Sequence, residues 1–527
     1  MDDKKAKRVL LAGLIWVLVI GAAAVAYRFL VVPMQQKEQA KEERERIAGT
    51  GSESRFSSSV VIANDAFSGY SVLRSGGLAE RMADRGIRLD LRDDGADYRS
   101  RIRALQAGEV QAAVFTVDAL LSASAELGEF PATILLVIDE TRGADAVVAY
   151  EAGVRDLDGL NDLAARVVYT AASPSETLAR VVHDQFRIDV PIDTWLEPAS
   201  DIDTVYRRFL QTAPTAKRGF VLWEPYLSRA LAQDGVVRLV DTDRLRGSIV
   251  DVLVASRTWL AGEGGPIAKA LVEEYLRAAY EVERTNSWKL TVRQDAQAIG
   301  DDLTDEQAQS LVDGIAWKNT LENYAHFGIL EGTEARGVQH LEDIIRRLGH
   351  LLERTGALSA HPLEGRESWL YYDAILRGLQ EEGFHPAFGR QGSELGQDAP
   401  IRQAAALPSL SDAEWGALVP VGSLRVPPIR FGRGGARINR SATRALEELA
   451  ERFEAWPSYY LTVVGQSRQG GDAEANRVLA NARAEAVLAK LIELGVAKAR
   501  LRSIARVGVG SGGAAQSVKF EVGQAPY

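Results

Sequence analysis

The sequence predicts an α/β protein: a membrane-spanning helix, then a two-lobed α/β body, then a smaller α+β domain at the C-terminus. Three observations predict it. Val9–Val32 is an apolar run whose one charge, Arg28, lies close to its end. From Val60 to about Leu351, short apolar runs alternate with amphipathic stretches, the pattern of strands alternating with helices. From Val426 a new order of strands and helices begins.

The apolar run is long enough to cross a bilayer, since a spanning helix needs about 20 such residues. Lys4, Lys5, Lys7 and Arg8 precede it against Asp2 and Asp3, so the leader is expected in the cytoplasm and the bulk of the chain in the periplasm, with the protein single-pass in the inner membrane. A cleaved signal peptide would share this start, and Ala24-Val25-Ala26 fits a small-x-small cleavage site. The run continues past it through Phe29 to Val32, which favours an uncleaved signal-anchor. The helix contains no Asp or Glu and so no proton-relay group. Residues 33–59 read as a stalk and linker, first charged (QQKEQAKEERE) and then rich in Gly and Ser.

The 527 residues suffice for two or three domains. A net charge of -10 argues against nucleic acid as a partner. The absence of cysteine excludes disulfides, thiolate metal sites and a cysteine nucleophile. The six histidines show no metal-ligand spacing, and no phosphate-binding Gly-Lys-Ser/Thr loop is present. Neither a metal nor another cofactor is expected, nor an enzyme, because no nucleophile–base pair stands out.

Within residues 60–355, strands are expected at Val60–Ala63, Leu89–Leu91, Ala112–Thr116, Thr133–Ile138, Ala146–Ala149, Arg166–Tyr169, Arg218–Leu222 and Val252–Ala255. Helices are expected at Ser71–Arg85, Tyr98–Ala107, Ser175–Phe186 and Asp201–Thr212, and further on at Gly265–Asn286, Asp305–Ile315 and Gly337–Glu353. Four phrases carry a resemblance: Ala66-Phe67-Ser68-Gly69-Tyr70 after the first strand, Leu105 to Ala113 as a helix–Gly–strand step, Asp139 to Val148 as a crossover, and Trp223-Glu224-Pro225-Tyr226. In order and spacing they resemble the periplasmic substrate-binding proteins of ABC importers of the nitrate, sulfonate and thiamine-precursor type. The resemblance implies a two-lobed type II binding-protein fold, a small-molecule ligand in the interlobe cleft, and polytopic membrane subunits as partners.

Ligands of open α/β sheets sit beyond the carboxyl ends of the strands. The candidate binding residues there are Gly69, Tyr70, Thr116, Asp118, Arg142, Asp145, Ser173, Ser175, Trp223 and Glu224. Gly69-Tyr70-Ser71 is read as opening a helix, and Ser173-Pro174-Ser175-Glu176 as opening another with a capping box; both would present N–H groups to an anion. Trp223 could stack on a planar ligand, or simply pack in the core. Arg142 suits an anion; Asp118, Asp145 and Glu224 suit a cation or hydroxyls. The ligand's charge stays open at this stage.

Residues 356–425 are read as a helical extension, with a helix at Ser368–Glu382, and a linker. In residues 426–527, strands are expected near Ile429–Phe431, Tyr459–Val464, Ser503–Val509 and Ser517–Val522, and helices at Ser441–Ala455 and Ala473–Leu494. Gly465-Gln466-Ser467-Arg468 followed by Asn476 to Val487 resembles the G-H-T-D…N-x-x-L-S-x-x-R-A-x-x-V signature of OmpA-like and MotB-like peptidoglycan-binding domains. The resemblance implies that an aspartate takes the amine of the peptide's diamino acid and an arginine its carboxylate. The arginine position is Arg483 and the aspartate position is Arg468, a cation where an ammonium would bind. Gln466 and Ala480 also depart from the pattern. Asp472 is a nearby carboxylate, and Asn476 matches the motif's first residue. The reading is a solute-binding protein held between membrane and wall, with a structural or stator-like anchor as the alternative.

Overall fold

The computed structural model describes residues 56–330, 335, 337–387, 407–427, 429, 431–432, 434–454, 456–467, 472–507 and 517–526. The expected membrane helix at residues 9–32 and Arg468 lie outside these. Among the described residues, no helix is long and apolar enough to cross a membrane.

Lobe one is built on β1 (Ser58–Asn64), β2 (Ile87–Asp93), β3 (Ala112–Thr116) and β4 (Ala132–Thr141), and lobe two on β5 (Asp145–Tyr150), β6 (Arg166–Thr170), β7 (Leu196–Ala199), β8 (Arg218–Trp223) and β9 (Val236–Asp241). The chain then returns to lobe one through β10 (Val250–Ser256) and β11 (Ile315–Trp317). The sheet orders are β11-β4-β10-β3-β1-β2 and β7-β6-β8-β5-β9. Each lobe contains one strand that arrives from the other lobe and runs antiparallel to both neighbours: β10 between β3 and β4, and β5 between β8 and β9. The lobes share two crossovers, Arg142–Ala144 and Thr242–Ile249. These are tied together: Thr242 N donates to Asp145 O at 3.0 Å, and Gly143 N to Thr242 Oγ1 at 2.9 Å. Gly143 has φ 103°, a conformation that L side chains rarely adopt.

The central strands read as apolar runs because both faces are covered; every residue of β3, β4 and β10 is buried. All eight strands expected in this body form. The edge strands β7, β9 and β11 escaped the sequence pattern. The helix expected at Ser71–Arg85 starts later, at Gly76, because the Ser75 hydroxyl caps it by accepting from Leu78 N at 3.2 Å. Gly69 and Tyr70 instead form a single 3-10 turn, Ser68–Tyr70, so the expected helix N-terminus there does not exist.

The helix Leu341–Arg354 spans the two lobes. It packs on the helix Val117–Leu127 of lobe one and on Pro174–Gln185 of lobe two. Its buried stripe, Leu341, Ile344, Ile345, Leu348, Leu351 and Leu352, has helical spacing. Arg180 Nη1 donates to Thr355 O at 2.8 Å and Arg354 pairs with Asp184 at 2.8 Å. Residues 356–387 then wrap lobe one: Tyr371 bridges to Ile134, and Lys269 pairs with Glu382 at 2.6 Å.

The C-terminal domain has a four-stranded sheet, ordered β12 (Val419–Ser423), β15 (Val518–Gln524), β13 (Tyr460–Ser467), β14 (Leu501–Val507), with helices Arg440–Glu454 and Ala473–Glu493. The first strand lies upstream of the expected Ile429–Phe431. Pro427 and Pro428 follow Val426, and proline removes the ladder donor a strand needs. This domain is seated on lobe two. Ser423 N and Oγ donate to Asp158 at 2.8 and 2.7 Å, and Arg187 N donates to Ser423 O at 2.7 Å. Phe186 stacks on Trp456 with centroids 6.0 Å apart.

Candidate functional site between the lobes

The carboxyl ends of the lobe-one strands carry a row of side chains. Thr116 on β3 pairs with Asp251 on β10, Asp251 with Asp139 on β4, and Asp139 with Trp317 on β11. Directly opposed residues on antiparallel strands put their side chains on one face. The register between β10 and β4 skips Ile138, a bulge that re-aims the strand end. The sequence reading missed Asp139, Asp251, Tyr275, Trp317 and Lys318. The signal for the first two was present: a lone aspartate inside each of two otherwise apolar runs, TILLVID and VDVLVA.

Gly69 and Tyr70 join this row. The Tyr70 hydroxyl donates to Asp251 Oδ1. A Cβ on Gly69 would lie 2.3 Å from Asp139 Oδ2 and 2.3 Å from the Phe67 ring, so only glycine fits. Trp317 Nε1 donates to Gly69 O at 2.8 Å and stacks on Trp288 with centroids 4.0 Å apart. Thr116 and Asp118 begin the helix Val117–Leu127. Asp118 accepts a hydrogen bond from Thr177 of lobe two, which closes the lobes on each other at this point. That contact brings in the start of helix Pro174–Gln185, where Ser175 is fully buried with its hydroxyl unpartnered.

The expected capping box at that helix does not form. The Ser173 hydroxyl donates to Thr170 O at 2.7 Å instead of accepting from the first turn, while Glu176 takes Ala172 N at 3.2 Å and pairs with Arg180 at 2.7 Å. On the lobe-two sheet, Asp145 is buried opposite Trp223, which is half-buried. Glu224 accepts from Ser228 N and Oγ at 3.2 and 2.8 Å, closing the turn into the next helix. Arg142 turns to the crossover: it pairs with Glu140 at 3.1 Å and lines a cavity of about 670 Å³ with Gly143, Asp241, Trp288 and Trp317.

The electrostatics of the row are one-sided. Burial pushes the Asp139 carboxyl up to about 8 and Asp145 up to about 7, and holds Asp251 well above the carboxylate range. The charge of Asp139 raises Asp251, whereas the charge of Lys318 and the side chain of Asp251 pull Asp139 down without cancelling the effect of burial. Nearby cations are committed elsewhere. Lys318 pairs with Glu140 at 3.0 Å and holds it well below its ordinary value. Arg101 binds Asp65 at 3.0 Å and Val114 O at 2.6 Å; Arg74 Nε binds Asp295 at 2.7 Å. Among the described residues, no group of three or more His, Cys, Asp or Glu has metal-ligand geometry.

In the C-terminal domain, Arg483 is buried on the helix Ala473–Glu493. Its Nε donates to Gly435 O at 3.0 Å, its Nη2 to Gly432 O at 3.5 Å, and it lies over the Phe431 ring at 5.2 Å. Asp472 is the N-cap of that helix, accepting from Glu474 N at 2.9 Å and Ala475 N at 3.1 Å. Eleven residues separate the two, about 16 Å along the helix axis. Asn476 sits one turn in from the cap, its N–H bonded to Asp472 O at 3.0 Å.

Comparison with known proteins gives two kinds of result. Solved structures of similar fold include the periplasmic aliphatic sulphonate binding protein SsuA from Escherichia coli, at 14% identity and TM-score 0.45, covering 60% of this chain and 99% of that one. The periplasmic nitrate-binding protein NrtA from Synechocystis PCC 6803 is similar at 11% identity and TM-score 0.43, covering 62% and 88%. The alkanesulfonate-binding protein SsuA from Xanthomonas axonopodis pv. citri, bound to MOPS, is similar at 13% and TM-score 0.42, covering 61% and 96%. No curated protein sequence matches the chain. Residues 430–523 match the OmpA family. The chain thus joins a two-lobed α/β body to a C-terminal domain that matches the OmpA family over residues 430–523.

Proposed function

We propose that this protein captures a small molecule between its lobes, without chemical conversion, and is held beside the cell wall by its OmpA-family domain. The N-terminal apolar run, Val9–Val32, would tether it to the inner membrane with both folded parts in the periplasm. The observation that carries the capture reading is the row at the strand ends: buried polar side chains from Tyr70, Thr116, Asp139 and Asp251, with lobe two joined to lobe one beside them through Thr177 and Asp118. Water-excluded polar groups at the carboxyl ends of an open sheet are what a solute site requires. The test is a thermal-shift screen of the full chain against small metabolites; a ligand that binds only the folded state raises the melting temperature.

Peptidoglycan is the proposed partner of the C-terminal domain, with Arg483 as its carboxylate-binding residue. A pull-down on purified peptidoglycan tests this. A second reading, a structural anchor that assembles with polytopic membrane subunits, is favoured by the helix Leu341–Arg354, which straps the lobes together. Co-purification of membrane subunits without any ligand-induced shift would support it instead.

A further inference from the structure

We propose that the interlobe site takes a protonated amine, with Asp139 and Asp251 as its counter-ions. This rests on the capture reading and adds the ligand's charge. The two carboxyls are opposed across β4 and β10 and are 0% and 1% exposed. Among the described residues, neither oxygen of Asp139 meets a hydrogen-bond donor, and Asp251 keeps Oδ2 without one. Their neighbour is each other.

A third group is independent of the acids. Tyr275, on the helix Gly265–Arg284, is 1% exposed with its hydroxyl unpartnered, and it feels the charge of both Asp139 and Asp251. Tyr275 is thus within electrostatic reach of both carboxyls and keeps a buried hydroxyl to offer, and an ammonium group has three donors to give. A buried carboxylate left without a cation is costly, and a cation seated between the two removes that cost. Lys318, Arg101 and Arg74 are each held by a carboxylate of the protein, and the 3-10 turn at Ser68–Tyr70 offers no helix N-terminus.

The experiment uses the full chain in detergent, with melting temperature and calorimetric affinity as readouts. The probes are 1,4-diaminobutane, its neutral isostere 1,4-butanediol, and ethanesulfonate, alongside a wide panel of neutral and charged metabolites. The expected result is a raised melting temperature with the diamine or other amines, and none with the diol or the sulfonate. Asp139→Asn and Asp251→Asn should each weaken amine affinity at least tenfold. Asp313→Asn, which lines the cavity beside Arg142 and accepts from Gln309 at 2.9 Å, should leave it unchanged; circular dichroism confirms that each variant folds. Shifts by neutral or anionic compounds with none by amines overturn the amine assignment and leave solute capture standing. Amine binding insensitive to both Asp variants also overturns it. No shift across the whole panel overturns the capture reading, and the amine assignment with it.

Discussion

Replacing Asp139 by Asn should stabilise the protein, and the gain should grow with pH. Burial raises the Asp139 carboxyl to about 8 from an ordinary 3.8. Between those values the unfolded chain gives up a proton that the folded chain keeps, so stability falls as pH rises through that window. Each pH unit is worth about 1.4 kcal/mol, so by pH 7 holding the proton costs at most roughly 4 kcal/mol. Asn keeps the shape and carries no proton to hold; burying its amide N–H beside Asp251 costs about 1 kcal/mol. The net gain should be about 2–3 kcal/mol at pH 7 and about half a kcal/mol at pH 5. Urea unfolding followed by tryptophan fluorescence at pH 5, 6, 7 and 8 measures it. A gain independent of pH, or one that shrinks as pH rises, refutes the reasoning. A residue that lowers stability in the resting protein is what a binding site retains and a core does not.

Other outcomes follow from single contacts. His326 is buried, its Nδ1 donates to Gln339 O at 2.7 Å, and it is pushed down to about 3 by burial and the charge of Lys318. Its folded value lies below the ordinary 6.5, so stability should fall as pH drops below 6.5, by about 2 kcal/mol at pH 5, and a His326→Gln variant should lose that slope in the same urea titration. Gly69→Ala drives a methyl into Asp139 and Phe67 and should cost about 1–3 kcal/mol, read as a lower melting temperature with loss of any ligand shift. Phe186→Ala removes a fully buried ring from the seat of the C-terminal domain. It should cost about 3–5 kcal/mol and split one calorimetric transition into two. Arg483→Ala should abolish peptidoglycan pull-down; retention at the wild-type level would remove that residue from the binding role.

The alternating pattern made the two-lobed body legible because strands covered on both faces must be continuous apolar runs, and β3, β4 and β10 are. Short edge strands such as β7 and β11 carry too few residues to show a period. The turn at Ser68–Tyr70 was misread as a helix start because Ser71 and Ser75 are both cap residues, and only packing selects the second. At the site, Tyr70, Thr116 and Asp118 were recognisable as residues following strand ends. Asp139 and Asp251 stand out only as lone aspartates near one end of an apolar run, and nothing local says that the two meet. Their pairing depends on a strand that returns after more than a hundred residues, and no local spacing encodes that. Arg483 was visible from its motif, while the partners that hold it, Gly432 O and Gly435 O, are backbone atoms with no signature of their own.

The helix Pro174–Gln185 has a consequence for mechanics. One end meets the cleft at Thr177 and Asp118; the other leads into Phe186 and Arg187, on which the C-terminal domain rests. Twelve residues make a strut about 18 Å long. A load applied to the C-terminal domain enters the body through the far end of that strut and is delivered to the rim of the crevice, so tension outside and occupancy inside act on the same rod.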